Sequence, residues 1–275
     1  MSHLIFSILF VFTFGCKNGG NPLFENGVGT GITSFKMFSV NVADTFVIDV
    51  SLPKSYTADK SRKYHVLYLT DGYWRKEQHQ PIHDMAKKEN VKEMIIVGIG
   101  YPNGYDPNSI RVRDLITRAD KFLDFVCKEL IRRIDSGYQT NSGRTLWGSS
   151  FGGFFGMYAL FNYPEKTKGV FQNYIIASAA ALEKTNYNNE FMDLFDLEKL
   201  LNSKTTELPV NLYITVGGIE DPGRFLNPFK DLVKILVERN YKSFFMKSYI
   251  DPGKDHYTVW EPTLYEGIRM FMKNN

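Results

Sequence analysis

The chain predicts an α/β fold, an open and mostly parallel sheet with helices on both faces, and three features of the sequence predict it. Short apolar runs alternate with amphipathic stretches from residue 65 onward, a pair of alternating strands precedes them, and a Gly-x-Ser-x-Gly turn joins a strand to a helix near mid-chain. At 275 residues, 43% hydrophobic and 23% charged, the composition suits one large globular domain.

The strands and helices follow in order. Residues 35–42 and 45–52 read as a hairpin turning at Ala43-Asp44, with Phe46, Ile48 and Val50 alternating onto one buried face. The run 65–70, closed by Asp71-Gly72, suits a strand covered on both faces, as does 94–99. A polar helix is expected between them at 78–88. From 118 to 134 the apolar residues Phe122, Val126, Leu130 and Ile134 recur every four positions and form a wide helical stripe. Strands are expected at 144–147, 174–177, 212–216 and 244–250, and helices at 154–161, 229–237 and 264–272. The segment between Ala180 and Pro209 interrupts the alternation and reads as a small helical cap insertion.

The N-terminus differs in kind. Residues 4–14 are almost all apolar, too short to span a bilayer comfortably, and run into Gly15-Cys16 and a glycine-rich polar stretch. This reads as an export signal over residues 1–16, a flexible linker over 17–33 and a domain over 34–275. Cys16 suits a bacterial lipoprotein processing site, which would anchor the exported protein to a membrane by lipid; plain secretion and an uncleaved segment are the alternatives. The second cysteine, Cys127, lies on the apolar side of a helix and reads as a small core hydrophobe, so no disulfide framework is expected. A net charge of +3 without a basic stripe excludes a nucleic-acid surface.

Gly148-Ser149-Ser150-Phe151-Gly152 is the segment that carries chemistry. A serine on a tight strand-to-helix turn has its hydroxyl pushed clear of neighbouring side chains and stands at the positive end of a helix. Ser150 is therefore the candidate nucleophile. It needs a base, and His256 follows the last strand, where the base comes in the Ser, acid, His order typical of this turn. The acid is expected after the strand 212–216, in Gly217-Gly218-Ile219-Glu220-Asp221; Glu220 has the longer reach and is preferred, with Asp221 the alternative. Backbone N–H groups of Phe151 and of Tyr73, in the loop after the third strand, are the expected oxyanion donors. Trp74, Arg111 and Trp260 are candidates to line the substrate pocket, and Arg75, Arg113 and Arg224 join Arg111 as cations near the strand ends. His79 and His83 have metal-ligand spacing, but Pro81 between them and the absence of the glutamate of the zinc-protease pattern argue against a metal site. No metal or organic cofactor is expected.

Leu52-Pro53-Lys54-Ser55-Tyr56, Val66-Leu67-Tyr68-Leu69-Thr70-Asp71-Gly72, Arg111-Val112-Arg113-Asp114-Leu115, Trp147 to Gly153, Val216 to Glu220 and Asp255-His256 with the closing helix recur in a known order. In these stretches the chain resembles the putative-esterase family of α/β-hydrolases, which includes esterase D, the enterobactin-type siderophore esterases and the mycolyltransferases. Thr70 stands where Leu is common in that family, and Ser149 where His or Gln is common. The resemblance implies a cofactor-free serine hydrolase of small carboxylic esters using Ser150, His256 and Glu220, with siderophore lactones or acyl groups on polysaccharide as substrates. An acyltransferase on the same triad, or a surface-anchored binding protein without catalysis, are the competing readings.

Overall fold

In the computed structural model the described residues are 25–26, 31–180, 182 and 193–274. Among the described residues there are nine strands, β1 (Glu25–Asn26), β2 (Ile32–Ser39), β3 (Asp44–Ser51), β4 (Tyr64–Leu69), β5 (Met94–Gly100), β6 (Thr140–Ser149), β7 (Asn173–Ala177), β8 (Asn211–Gly217) and β9 (Phe245–Asp251). They form one sheet in the order β1-β2-β3-β5-β4-β6-β7-β8-β9. The first three strands and the β3–β5 pairing are antiparallel; every pairing from β5 through β4 to β9 is parallel. The expected α/β sheet is thus present, with its functional loops at the carboxyl ends of the parallel strands.

The helices are α1 (Gly72–Arg75), α2 (His79–Lys88), α3 (Pro107–Val112), α4 (Ala119–Asp124), α5 (Ile131–Gly137), α6 (Phe151–Phe161), α7 (Leu194–Lys204), α8 (Asn227–Arg239) and α9 (Trp260–Phe271). The central strands are buried on both faces, which explains their unbroken apolar runs. Successive side chains go to opposite layers: Val66 and Tyr68 join a large core with α4, α6 and α8, while Leu67 and Leu69 join a smaller one with α2 and α9. In the large core the Phe46 ring stacks on Phe125 with centroids 4.3 Å apart.

The long stripe at 118–134 is one continuous helical path, but its middle, Phe125–Leu130, is π-helical between α4 and α5. That accounts for the four-residue apolar spacing. A regular helix of 3.6 residues per turn would rotate such a stripe steadily off the core, and a wider turn brings it back. Cys127 packs against the same core as a free thiol, and burial pushes its pKa up to about 12.

The insertion expected as a cap contributes α7, and α7 is bedded in the main core rather than standing apart. Leu194, Leu197 and Leu201 are buried beside α6, and the buried Glu198 accepts two hydrogen bonds from Arg239 at 2.9 and 3.0 Å and one from the Tyr241 hydroxyl at 2.8 Å. Residues 183–192 lie outside the described residues, as do the export signal at 1–16, Cys16 and most of the 17–33 linker. Within that linker Glu25–Asn26 pairs with β2, and β2 itself begins at Ile32. Among the described residues no helix is long and apolar enough to cross a membrane.

His79 and His83 both turn toward Ser51. The Ser51 hydroxyl lies 2.8 Å from His79 Nδ1 and 2.8 Å from His83 Nε2, and no group of three metal-binding side chains occurs among the described residues. Burial pushes the His79 pKa down to about 4. The folded protein therefore binds this proton more weakly than the unfolded chain, whose histidine titrates near 6.5. Stability from His79 is complete above about pH 6.5 and is lost as the pH falls toward 4. Thermal unfolding across that range should show a shallower pH slope for His79→Gln than for the unsubstituted chain; equal slopes would contradict this account.

Candidate active site

β6 ends in the glycine-serine turn, and Ser150 adopts φ 58° and ψ −119°, a strained conformation between β6 and α6. The turn is that tight because its glycines leave room for it. A Cβ on Gly148 would lie 2.0 Å from the Gly152 carbonyl oxygen, and one on Gly152 would lie 2.3 Å from Thr70 Oγ1. The adjacent strand braces the turn. The Ser150 N–H donates to the Ala177 carbonyl at 3.1 Å, and the Ala180 N–H donates to the Ser150 carbonyl at 3.0 Å.

His256 reaches the serine from the loop after β9, with Nε2 3.0 Å from Ser150 Oγ. Its other ring nitrogen, Nδ1, is 2.9 Å from Glu220 Oε2, and the Phe225 ring packs on the imidazole with centroids 4.4 Å apart. Glu220 is buried, and its second oxygen, Oε1, accepts the Gly217 N–H at 2.6 Å. Ser150 and His256 are each partly exposed, so the reacting atoms open to solvent while the carboxylate behind them does not.

Asp221, the alternative acid, faces elsewhere. It is exposed and caps the turn Pro222–Leu226, accepting the Arg224 N–H at 2.7 Å. That cap holds Phe225, whose ring covers His256. Ser178 escaped the sequence reading altogether. Its buried hydroxyl lies 2.5 Å from Glu220 Oε2 and 2.8 Å from His256 Nδ1. The one available signal was a polar residue directly after a buried strand.

Tyr73 lies in the first turn of α1, at the end of β4 and next to the serine turn. A Cβ on Gly152 would lie 3.3 Å from Asp71 Oδ2, so the loop carrying Tyr73 rests on the start of α6, where Phe151 lies. Arg111 fastens these two pieces. Its Nε and Nη2 donate to the Asp71 carboxylate at 2.7 and 2.9 Å, and its guanidinium lies 5.1 Å from the Trp74 ring and 5.2 Å from the Phe151 ring.

A cavity of about 130 Å³ opens here, lined by Tyr73, Trp74, Tyr101, Tyr105, Asp71 and Arg111 among others. Trp260 is not part of its lining. Its ring instead lies under the Arg75 guanidinium at 3.8 Å, with Trp147 on the same cation at 5.0 Å. The other arginines expected near the strand ends are engaged in different ways. Arg113 pairs with Asp114 and Asp44 at 2.7 and 2.6 Å, and Arg111 is committed to Asp71, which leaves Arg224, whose guanidinium lies over Phe225, exposed at the surface.

A sheet of this order, with a strained serine turn after the central strand and a histidine after the last, defines an enzyme of the α/β-hydrolase fold. The family model for Putative esterase matches residues 39–270, and the chain belongs to that family. It is accordingly a serine hydrolase of the carboxylic-ester type. Acyl transfer and loss of catalysis are not favoured.

Solved structures share the fold. One is the BES protein from Bacillus cereus, 24% identical with a TM-score of 0.75, with 94% of this chain and 100% of that chain covered. Another is an IroE-like serine hydrolase from Shewanella oneidensis, 22% identical, TM-score 0.70, covering 88% and 80%. A third is the siderophore hydrolase EstB from Aspergillus nidulans, 21% identical, TM-score 0.72, covering 88% and 96%. No curated protein matches the chain.

The backbone contacts make the turn intolerant of any side chain at its first glycine. Gly148→Ala should lower the thermal midpoint by several degrees and reduce esterase activity, because its new methyl group meets backbone rather than a movable side chain. An unchanged midpoint in thermal unfolding would contradict that.

Proposed function

We propose that the protein hydrolyses esters through an acyl-enzyme on Ser150, with His256 as general base and acid and Glu220 as the carboxylate that orients it. The observation that carries this reading is the continuous chain Ser150 Oγ, His256 Nε2, His256 Nδ1, Glu220 Oε2, with spacings of 3.0 and 2.9 Å across the two gaps. With Nδ1–H donating to the carboxylate, Nε2 is free to accept the serine proton.

Ser150 Oγ attacks the ester carbonyl carbon as its proton passes to His256 Nε2. The carbonyl electron pair moves onto oxygen, where the N–H groups of Tyr73 and Phe151 receive the developing charge. Collapse of this intermediate expels the alcohol, which takes the proton from Nε2. Water then attacks the acyl-enzyme carbonyl as its proton passes to Nε2, and collapse of the second intermediate breaks the acyl–Oγ bond, releases the acid and returns that proton from Nε2 to Ser150 Oγ.

The aromatic lining of the neighbouring cavity supports an ester whose acyl group carries an aromatic ring, such as a catecholate siderophore lactone or a feruloyl group on polysaccharide. The pairing of Arg111 and Arg113 with carboxylates weakens the attraction these cations exert on a strongly anionic substrate. Assays of a ferric tricatecholate and a feruloylated sugar side by side, each against its acetyl counterpart, test the preference; equal turnover of acetyl and aromatic esters would remove it.

Ser150→Ala should abolish hydrolysis of aryl esters and labelling by a fluorophosphonate while leaving the thermal midpoint unchanged. Glu220→Gln should lower kcat by about 10³- to 10⁴-fold, whereas Asp221→Asn should stay within about threefold of the unsubstituted enzyme. A larger loss in the Asp221 variant would reverse the assignment of the acid. For localisation, the apolar run ending at Cys16 supports export with a lipid anchor. Fractionation of a bacterial host should place the full chain with membranes and the Cys16→Ala variant off them.

A further inference from the structure

We infer that Ser178 is a positioning residue of this site, a hydroxyl that fixes the tautomer and the orientation of the His256 and Glu220 pair. The inference rests on the proposed roles of Ser150, His256 and Glu220 and adds a fourth group to them.

The geometry is a closed triangle. Ser178 Oγ is 2.5 Å from Glu220 Oε2 and 2.8 Å from His256 Nδ1, and those two atoms are 2.9 Å from each other. Three polar atoms in mutual contact permit few proton arrangements. An ionised carboxylate only accepts, so the Ser178 O–H donates to Oε2. The Ser178 oxygen then offers Nδ1 only a lone pair, which makes Nδ1 a donor shared between Oε2 and Ser178 Oγ. Nδ1 thereby carries the proton, and Nε2 is left as the acceptor for Ser150. The opposite arrangement, Ser178 donating to a bare Nδ1, would put the ring proton on Nε2, where it cannot take the proton of Ser150.

The backbone supports a dedicated role. Ser178 is 1% exposed and adopts φ 43°, in the left-handed region that a serine enters at a cost. It is held there by its N–H, which donates to the Thr215 carbonyl at 2.7 Å. On either side, the Ala177 carbonyl accepts the Ser150 N–H and the Ala180 N–H donates to the Ser150 carbonyl. One short segment, 177–180, therefore fixes the main chain of the nucleophile and the side chains of its base and acid together. A residue whose only duty was to end β7 would have no reason to turn its hydroxyl into the carboxylate.

The ionisable group in hydrogen-bond contact with His256 among the described residues is Glu220; Phe225 and Tyr257 cover the ring. Without the Ser178 donor, Glu220 Oε2 keeps more of its negative charge and stabilises the imidazolium more strongly. The test uses Ser178→Ala and Ser178→Gly in the full chain, with active sites counted by fluorophosphonate labelling. Both lack the hydroxyl, but glycine accepts φ 43° without strain and so preserves the backbone. The expected result is the same in both variants: kcat per labelled site for an aryl ester falls about tenfold, KM stays within about twofold, and the acid limb of the kcat/KM profile moves to higher pH. A merely structural role would lower the number of labelled sites and leave the per-site rate and the pH profile alone. Normal labelling with an unchanged per-site kcat and acid limb in both variants overturns this inference and leaves the nucleophile standing. A failure of the unsubstituted enzyme to label at Ser150 overturns both.

Discussion

The two hydrogen bonds between the Ser150 backbone and the end of β7 are the constraint on which the site depends. Ser150 is held at φ 58°, and a serine in that region relaxes unless neighbours prevent it. The Ala177 carbonyl, at the end of the adjacent parallel strand, and the Ala180 N–H, three residues past it, do so. The pairing of β6 with β7 therefore does more than extend the sheet. It sets the register in which Ser149 faces Ala177, and a shift of one residue would place the wrong groups opposite the turn. Burial of the central strands on both faces is what makes such a shift costly, because every apolar side chain of β6 and β7 would change layers.

A second constraint is electrostatic, and it changes the meaning of Arg111. A cation at the mouth of a pocket suggests attraction of an anionic ligand, but this one is mostly buried, and Nε and Nη2 of its fork are taken by Asp71. Asp71 itself is buried at φ 57°, directly before Gly72 and Tyr73. With its faces against Trp74 and Phe151, the guanidinium ties the loop after β4 to the start of α6. Removing either partner leaves a charge stranded in a poorly hydrated place, which costs far more than a surface pair is worth. Arg111 is better understood as the fastening between the two backbone segments expected to supply oxyanion donors.

Much of this was legible in the sequence. Alternation of buried strands with helices gave the layers, because parallel strands covered on both faces must be apolar throughout. The serine turn was legible because its glycines are sterically required, and the approach of His256 to Ser150 because chain order restricts which loops reach that turn. Ser178 was invisible for a physical reason: a lone serine after an apolar run carries no pattern, and its importance arises only when β8 delivers Glu220 and the loop after β9 delivers His256 to the same spot. The surroundings of Trp260 are hidden in the sequence for the opposite reason. An aromatic near a loop looks available to substrate, yet a half-buried guanidinium, that of Arg75, lies over its face. The π-helical middle of the 118–134 path was present in the spacing of Phe122, Val126, Leu130 and Ile134, which advances by more than a regular helical turn.

The choice between Glu220 and Asp221 shows why side-chain length decides a role that charge alone leaves open. The carboxylate at this position must accept the Gly217 N–H with one oxygen and meet both Nδ1 and the Ser178 hydroxyl with the other. The Glu220 N–H donates to the Gly217 carbonyl at 3.3 Å, so its backbone is folded back over the end of β8. From there the side chain must return across its own turn, and the extra methylene of glutamate spans that distance. One residue later the chain has already turned outward, and the shorter carboxylate of Asp221 finds the N–H of Arg224 three residues ahead, the usual partner of a capping aspartate. Each acid thus takes the work its length and position permit: Glu220 reaches inward to the histidine, and Asp221 shapes the turn that lays Phe225 over the same ring.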